Sequence, residues 1–200
     1  MTTEKLPDLV ASSLTLKDAA GRVRLQAGPI SDGRSGLALR DKAGNSRAAL
    51  MLASDGDPSL VLYDKGGKVR AMFRLDSDGS PSLDLVDKAG KFRAMFFLDP
   101  DGSPSLFLFD KAWKPRAILG LTADGSPGLA LWDKAVPRAV FNVFQDGSPR
   151  LDLSDKAGTS RATLGVTESV NKVTGATTKT SEGTLTLFDA KGNVIWEAPR

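Results

Sequence analysis

Apolar and polar positions alternate along this chain in short runs that are broken, at regular intervals, by turn residues. In one representative stretch, Ser82-Leu-Asp-Leu-Val-Asp87 has the period of two that a β-strand imposes, and Phe92-Arg-Ala-Met-Phe-Phe-Leu98 is rich in residues that suit a pleated sheet. Lys88-Ala-Gly-Lys91 between them predicts a short hairpin loop, with glycine where a left-handed conformation or a bulge is usual. Asp78-Gly-Ser-Pro81 ahead of them is turn chemistry: glycine takes a positive φ, and proline withholds a donor where none is needed. The stretch therefore predicts one β-hairpin.

The same hairpin recurs through the chain. Asp18, Asp41, Asp64, Asp87, Asp110 and Asp133 are each 23 residues from the last, and the series resumes at Asp155 and Asp189 after a one-residue deletion and an insertion of about eleven. The Asp-Gly pairs beginning at Asp32, Asp55, Asp78, Asp101, Asp124 and Asp146 run in step with it, as do Arg24, Arg47, Arg70, Arg93, Arg116, Arg138 and Arg161. Eight copies predict about sixteen antiparallel strands and leave no room for a helix. Residues 1–12 read as an N-terminal arm and residues 13–200 as a single hairpin-repeat domain. Residues 168–182, polar and Thr-rich, are an insertion in the last repeat, expected as an extended hairpin or a projecting loop.

Sorting alternate residues gives two unlike faces. One repeats almost without change, with Leu60/Leu62, Leu83/Leu85, Leu106/Leu108 and Leu129/Leu131 on first strands and Ala71/Phe73/Leu75, Ala94/Phe96/Leu98 and Ala117/Leu119/Leu121 on second strands. This face is expected to be the core, so that Leu85→Asp would cost several kcal/mol wherever the fold closes. The other face is polar or small near the ends of the chain and apolar in the middle, where Tyr63, Met72, Val86, Met95, Phe97, Phe107, Phe109, Ile118, Trp132 and Val140 fall. Such a patch marks either an interface or a sheet that curls to cover its own middle strands. The binding candidates it supplies are Tyr63, Met95, Phe97, Phe107, Phe109 and Trp132.

Size narrows the architecture. Sixteen strands at ~4.8 Å would form an open layer ~75 Å long with a bare leucine face, which needs a cover. A sixteen-stranded barrel has a lumen too wide for Leu and Phe to fill. Four-stranded propeller blades should make alternate hairpins differ, and they do not. The expected fold is all-β: an elongated, solenoid-like antiparallel meander of eight hairpins whose leucine faces meet within one chain or across identical chains, for instance as a β-prism.

Composition restricts the chemistry. The 200 residues include no His and no Cys, which excludes Ser-His-Asp and Cys-His nucleophile pairs, imidazole or thiolate metal sites and disulfides. The recurrent Asp residues read as turn formers and not as metal ligands, so no metal and no cofactor is expected. The remaining carboxylates, Asp84 and Asp152 among them, occupy equivalent positions three repeats apart, and no catalytic residue and no enzyme is expected. With 27 basic and 24 acidic side chains intermingled, nucleic acid is not an expected partner. One arrangement keeps a polyanion in view. A four-residue loop would set Arg70 opposite Tyr63, Arg93 opposite Val86, Arg116 opposite Phe109 and Arg138 opposite Trp132, forming a ladder with ~9–10 Å steps.

No run approaches the ~20 apolar residues of a membrane helix, and the start has no secretory-signal pattern. Membrane insertion is therefore not expected. Location stays open between a cytosol and a phage or surface assembly reached without a signal. The Asp-Gly turns and Leu-x-Leu-x-Asp motif resemble tandem hairpin repeats of bacterial or phage type, and the architecture is similar to fibre and shaft repeats. That resemblance implies a structural or adhesive protein that self-associates as a trimer or filament. A binding module for a protein, glycan or hydrophobic ligand on the apolar outer face is the alternative.

Overall fold

The computed structural model describes residues 11–29, 34–166, 168–170, 177–179 and 183–198. Most of the N-terminal arm predicted over 1–12 lies outside them. The described residues form strands and turns, with no helix among them. The strands are β1 (Leu14–Lys17), β2 (Val23–Pro29), β3 (Ser35–Arg40), β4 (Ser46–Leu52), β5 (Pro58–Tyr63) and β6 (Val69–Leu75). They continue with β7 (Pro81–Val86), β8 (Phe92–Leu98), β9 (Pro104–Phe109), β10 (Pro115–Leu121), β11 (Pro127–Asp133) and β12 (Val136–Val143). The last are β13 (Pro149–Ser154), β14 (Ser160–Gly165), β15 (Glu168–Val170), β16 (Thr177–Lys179), β17 (Leu185–Phe188) and β18 (Val194–Ala198).

Sixteen of them form one antiparallel meander in chain order, β1 to β14 and then β17 and β18. The order has two ends, so the sheet is open. Strands β15 and β16, inside the insertion, pair only with each other, as an extended hairpin does. The chain divides into two compact units, Met1–Gly90 with β1 to β7 and Lys91–Arg200 with β8 to β18.

Both kinds of turn use the predicted chemistry. In the loop after β7, the Gly90 N–H donates to the Asp87 carbonyl at 3.0 Å, with Gly90 at φ 81°. In the loop after β6, Gly79 at φ 84° donates to Asp76 at 2.7 Å. A side chain at either φ would be strained, which is why glycine recurs there. The proline of Asp-Gly-Ser-Pro is the first residue of a strand and not part of the turn, as at Pro81 and Pro104, a position where the missing donor is tolerated.

The two leucine-bearing sets do share a face: Leu60 pairs with Phe73 and Leu62 with Ala71, while Leu106 pairs with Leu119 and Leu108 with Ala117. That face is not a core within this chain. Many of its large side chains are exposed, up to 55% at Leu50 and with Leu85 at 48%, while Leu37, Leu98, Leu106 and Leu151 are half-buried. The physical reason is that, among the described residues, no second layer within either unit lies against the leucines. Burial occurs on the opposite face, where Ala49, Val61, Ser82, Asp84, Ser105 and Thr163 are covered by their neighbours.

Candidate functional site

Three groups of side chains could carry function: the leucine face, the aromatic cluster of the opposite face, and the Asp-Arg rows at the hairpin loops. The loop carboxylates are occupied by backbone. Asp64 Oδ1 accepts the N–H groups of Gly66 at 2.8 Å and Lys68 at 3.0 Å, and Asp189 accepts those of Lys191 at 2.8 Å and Asn193 at 2.9 Å. The Lys68 N–H, helped by Arg70, holds the Asp64 carboxyl below the usual carboxylate range; the Lys114 N–H leads the same effect at Asp110. These are turn formers in the sense read from the sequence.

The arginines do not stand opposite the aromatic residues as expected. A bulge in each of these three hairpins shifts the register, so that Tyr63 pairs with Val69, Phe109 with Pro115 and Trp132 with Pro137. Arg70, Arg116 and Arg138 fall at the extra position of the bulge. From there the recurrent arginine hooks the backbone of the next repeat. Arg24 Nε donates to the Arg40 carbonyl at 3.0 Å, Arg47 Nε to Tyr63 at 3.1 Å and Arg138 Nε to Ser154 at 2.8 Å. Arg70 and Arg161 instead donate through Nη1 to the carbonyls of the next turn aspartates, Asp87 and Asp189. Arg116 lies between Asp110 at 3.7 Å and Asp133 at 3.5 Å, and the charge of Arg93 acts on Asp110.

On the opposite face, three of the six binding candidates come together. The rings of Phe97 and Phe107 are 5.4 Å apart, those of Phe107 and Phe109 5.9 Å apart, and Phe109 stacks on Trp113 at 5.9 Å. Met95 pairs with Phe107 across the strands. Trp132 makes no ring contact among the described residues, and its indole N–H is buried without a partner. Tyr63 belongs to the other unit, where with Ala49 and Met51 it lines a groove of about 420 Å³. A groove of about 510 Å³ in the second unit is lined by Phe144, Arg150 and Val166.

The strand alternation missed Trp113, because it is a loop residue. It occupies the column held by Gly67, Gly90 and Gly158 in other repeats, has φ 58° and is 56% exposed. A tryptophan in a glycine column was the available signal. The second miss is an ion pair: Asp84, 0% exposed, accepts from Arg74 at 2.7 Å, and Arg74 also donates to Asp76 at 2.8 Å. Burial pushes the Asp84 carboxyl above its ordinary range against the opposing pull of Arg74. Asp152 instead accepts from Thr163 at 2.7 Å and Arg150 at 3.0 Å.

No family model matches the chain, and no curated protein does. Among solved structures, the TCP domain of SAS-4 from Drosophila melanogaster, in complex with a proline-rich motif of Ana2, is similar at 13% identity with a TM-score of 0.30. That match covers 76% of this chain and 96% of the other. A porin-like protein from Bacteroides uniformis is similar at 12% identity with a TM-score of 0.22, over 83% of this chain and 86% of the other. Likenesses at these scores carry no argument about function.

Proposed function

We propose that the chain is a structural or adhesive β-repeat protein that self-associates through its leucine face, as a fibre or shaft segment does. The observation that carries this reading is the uncovered row of Leu39, Leu62, Leu85, Leu108, Leu131 and Leu153, every one more than two-fifths exposed. Monomers rarely expose apolar patches beyond about 600 Å². The occupant is a second copy, because its own leucine face repeats at the same strand spacing and offers the missing layer. Light scattering over a hundredfold dilution tests the reading. A trimer or filament that persists supports it, and a chain that is monomeric throughout removes it.

The ring stack favours a second reading, a binding module. Phe97, Phe107 and Phe109 shield one another and leave Trp113 as the open end of the stack, held at a φ that suits glycine. Strain of this kind collects at binding sites. The ligand class that fits one exposed indole face beside Asp and Arg side chains is a glycan. A glycan array probed with the parent and with Trp113→Gly tests it, and equal signals from both would rule it out.

A further inference from the structure

The junctions between hairpins share one register. In most of them the second strand of a hairpin meets the first strand of the next with its alanine opposite a leucine: Ala48 with Leu62, Ala71 with Leu85, Ala117 with Leu131, Ala139 with Leu153 and Ala162 with Leu187; at the β2–β3 junction Leu25 takes the alanine's place opposite Leu39. The two edge strands are the halves of such a junction. Among the described residues, β1, a first strand, and β18, a second strand, stand at the two ends of the sheet order.

Edge strands in natural proteins are usually blunted by charge, proline or a cover. In β18 three consecutive apolar side chains, Val194, Ile195 and Trp196, are exposed, and Ile195 at 63% is the most exposed of the large apolar residues described. Leu14 and Leu16 of β1 are exposed as well. Ile195 stands in the column of the recurrent arginine and Trp196 in the column of the alanine. Strand β18 thus lacks the arginine hook and presents apolar surface in its place.

We propose that β18 of one copy receives β1 of a second copy, continuing the meander from chain to chain. The internal rule fixes the register: Trp196 opposite Leu16, Glu197 opposite Thr15 and Ala198 opposite Leu14. Because the two edges differ, the contact is head-to-tail, and repeated addition gives an open filament unless the rotation closes. The proposal shares its partner, a second copy, with the self-association reading above and uses a different surface.

The chain has no cysteine, so introduced thiols report without background. Opposed residues of an antiparallel pair have Cα atoms about 4.5–5.5 Å apart, within disulfide reach. Thr15→Cys and Glu197→Cys are made as separate full-length proteins, each also carrying Leu85→Asp and Leu131→Asp to disable the leucine face, and are oxidised alone and mixed. The expected result is a disulfide dimer in the mixture at least tenfold above either protein alone. No excess in the mixture overturns the proposal. Leu14→Cys with Ala198→Cys repeats the test in the same register on the other face, should the first pair disturb its edge. Because both proteins carry the leucine-face substitutions, the crosslink reads the edge contact alone, and light scattering of the unsubstituted chain against Leu85→Asp/Leu131→Asp reads the leucine face, so the two surfaces fail separately.

Discussion

The two faces of this sheet invert the usual relation between regularity and burial. The leucine face is nearly the same in every repeat and is open; the opposite face changes from repeat to repeat and is covered. A uniform apolar row suits a partner that is itself periodic, because every hairpin then meets the same surface. The irregular face is filled by local solutions, an Asp84–Arg74 pair in one repeat, a Thr163–Asp152 hydrogen bond in another and stacked rings between them. Each works only with its own neighbours.

The strongest way to break this contrast is Leu85→Asp combined with Leu131→Asp. If the leucine face serves only contacts between copies, the protein loses the assembly made through that face, its light scattering falling to what the edge contact alone supports, and its monomer unfolds within about 1 kcal/mol of the parent under conditions where both are monomeric. An unfolded monomer would mean that the face is covered within one chain. On the opposite face, Arg74→Met leaves a buried carboxylate without its cation and should cost about 3 kcal/mol in urea unfolding. Adding Asp84→Asn should recover part of that loss, as coupled neighbours do. Trp113 gives a finer test. Trp113→Ala loses the stack and keeps the strained φ, so Trp113→Gly should be more stable than Trp113→Ala by about 1 kcal/mol, read from the unfolding midpoint.

Acid supplies the smallest effect, with opposite signs at turn and face. Asp64, Asp101 and Asp110 are held below the ordinary carboxylate range by backbone N–H groups, so the stability they contribute is present above about pH 4 and is lost as pH falls through their lowered values. Asp84 is raised by burial, so its protonation on acidification favours the folded state. Acidification toward about pH 4 should stabilise the parent relative to the Asp84→Asn variant, and below about pH 4 both should weaken as the turn carboxylates are protonated. Equal slopes in an acid titration by circular dichroism would show that Asp84 does not act in this way.

The meander and its turns were legible because each rests on local chemistry: a period of two in Ser82–Val86, and glycine where Gly79 and Gly90 need a positive φ. Burial was not legible. The pattern of Leu83 and Leu85 says that two side chains share a face, whereas their cover depends on whether the chain supplies a second layer, which no local rule states. The bulge was hidden for a related reason. A loop counted as four residues puts Arg70 opposite Tyr63, but the turn claims the backbone groups of Asp64 and Lys68 and moves Val69 into that place. Phe97, Phe107 and Phe109 were found by alternation, and Trp113 escaped because alternation is blind to loops.

The arginine hook also bears on how such a chain changes over generations. Its acceptor is a main-chain oxygen, that of Arg40, Tyr63 or Ser154 in three repeats and that of the adjoining turn aspartate, Asp87 or Asp189, in two others. Side chains at the receiving end can drift without loosening the join. A duplicated hairpin would bring its own hook and find a ready acceptor beside it, so gene duplication can lengthen this protein one repeat at a time.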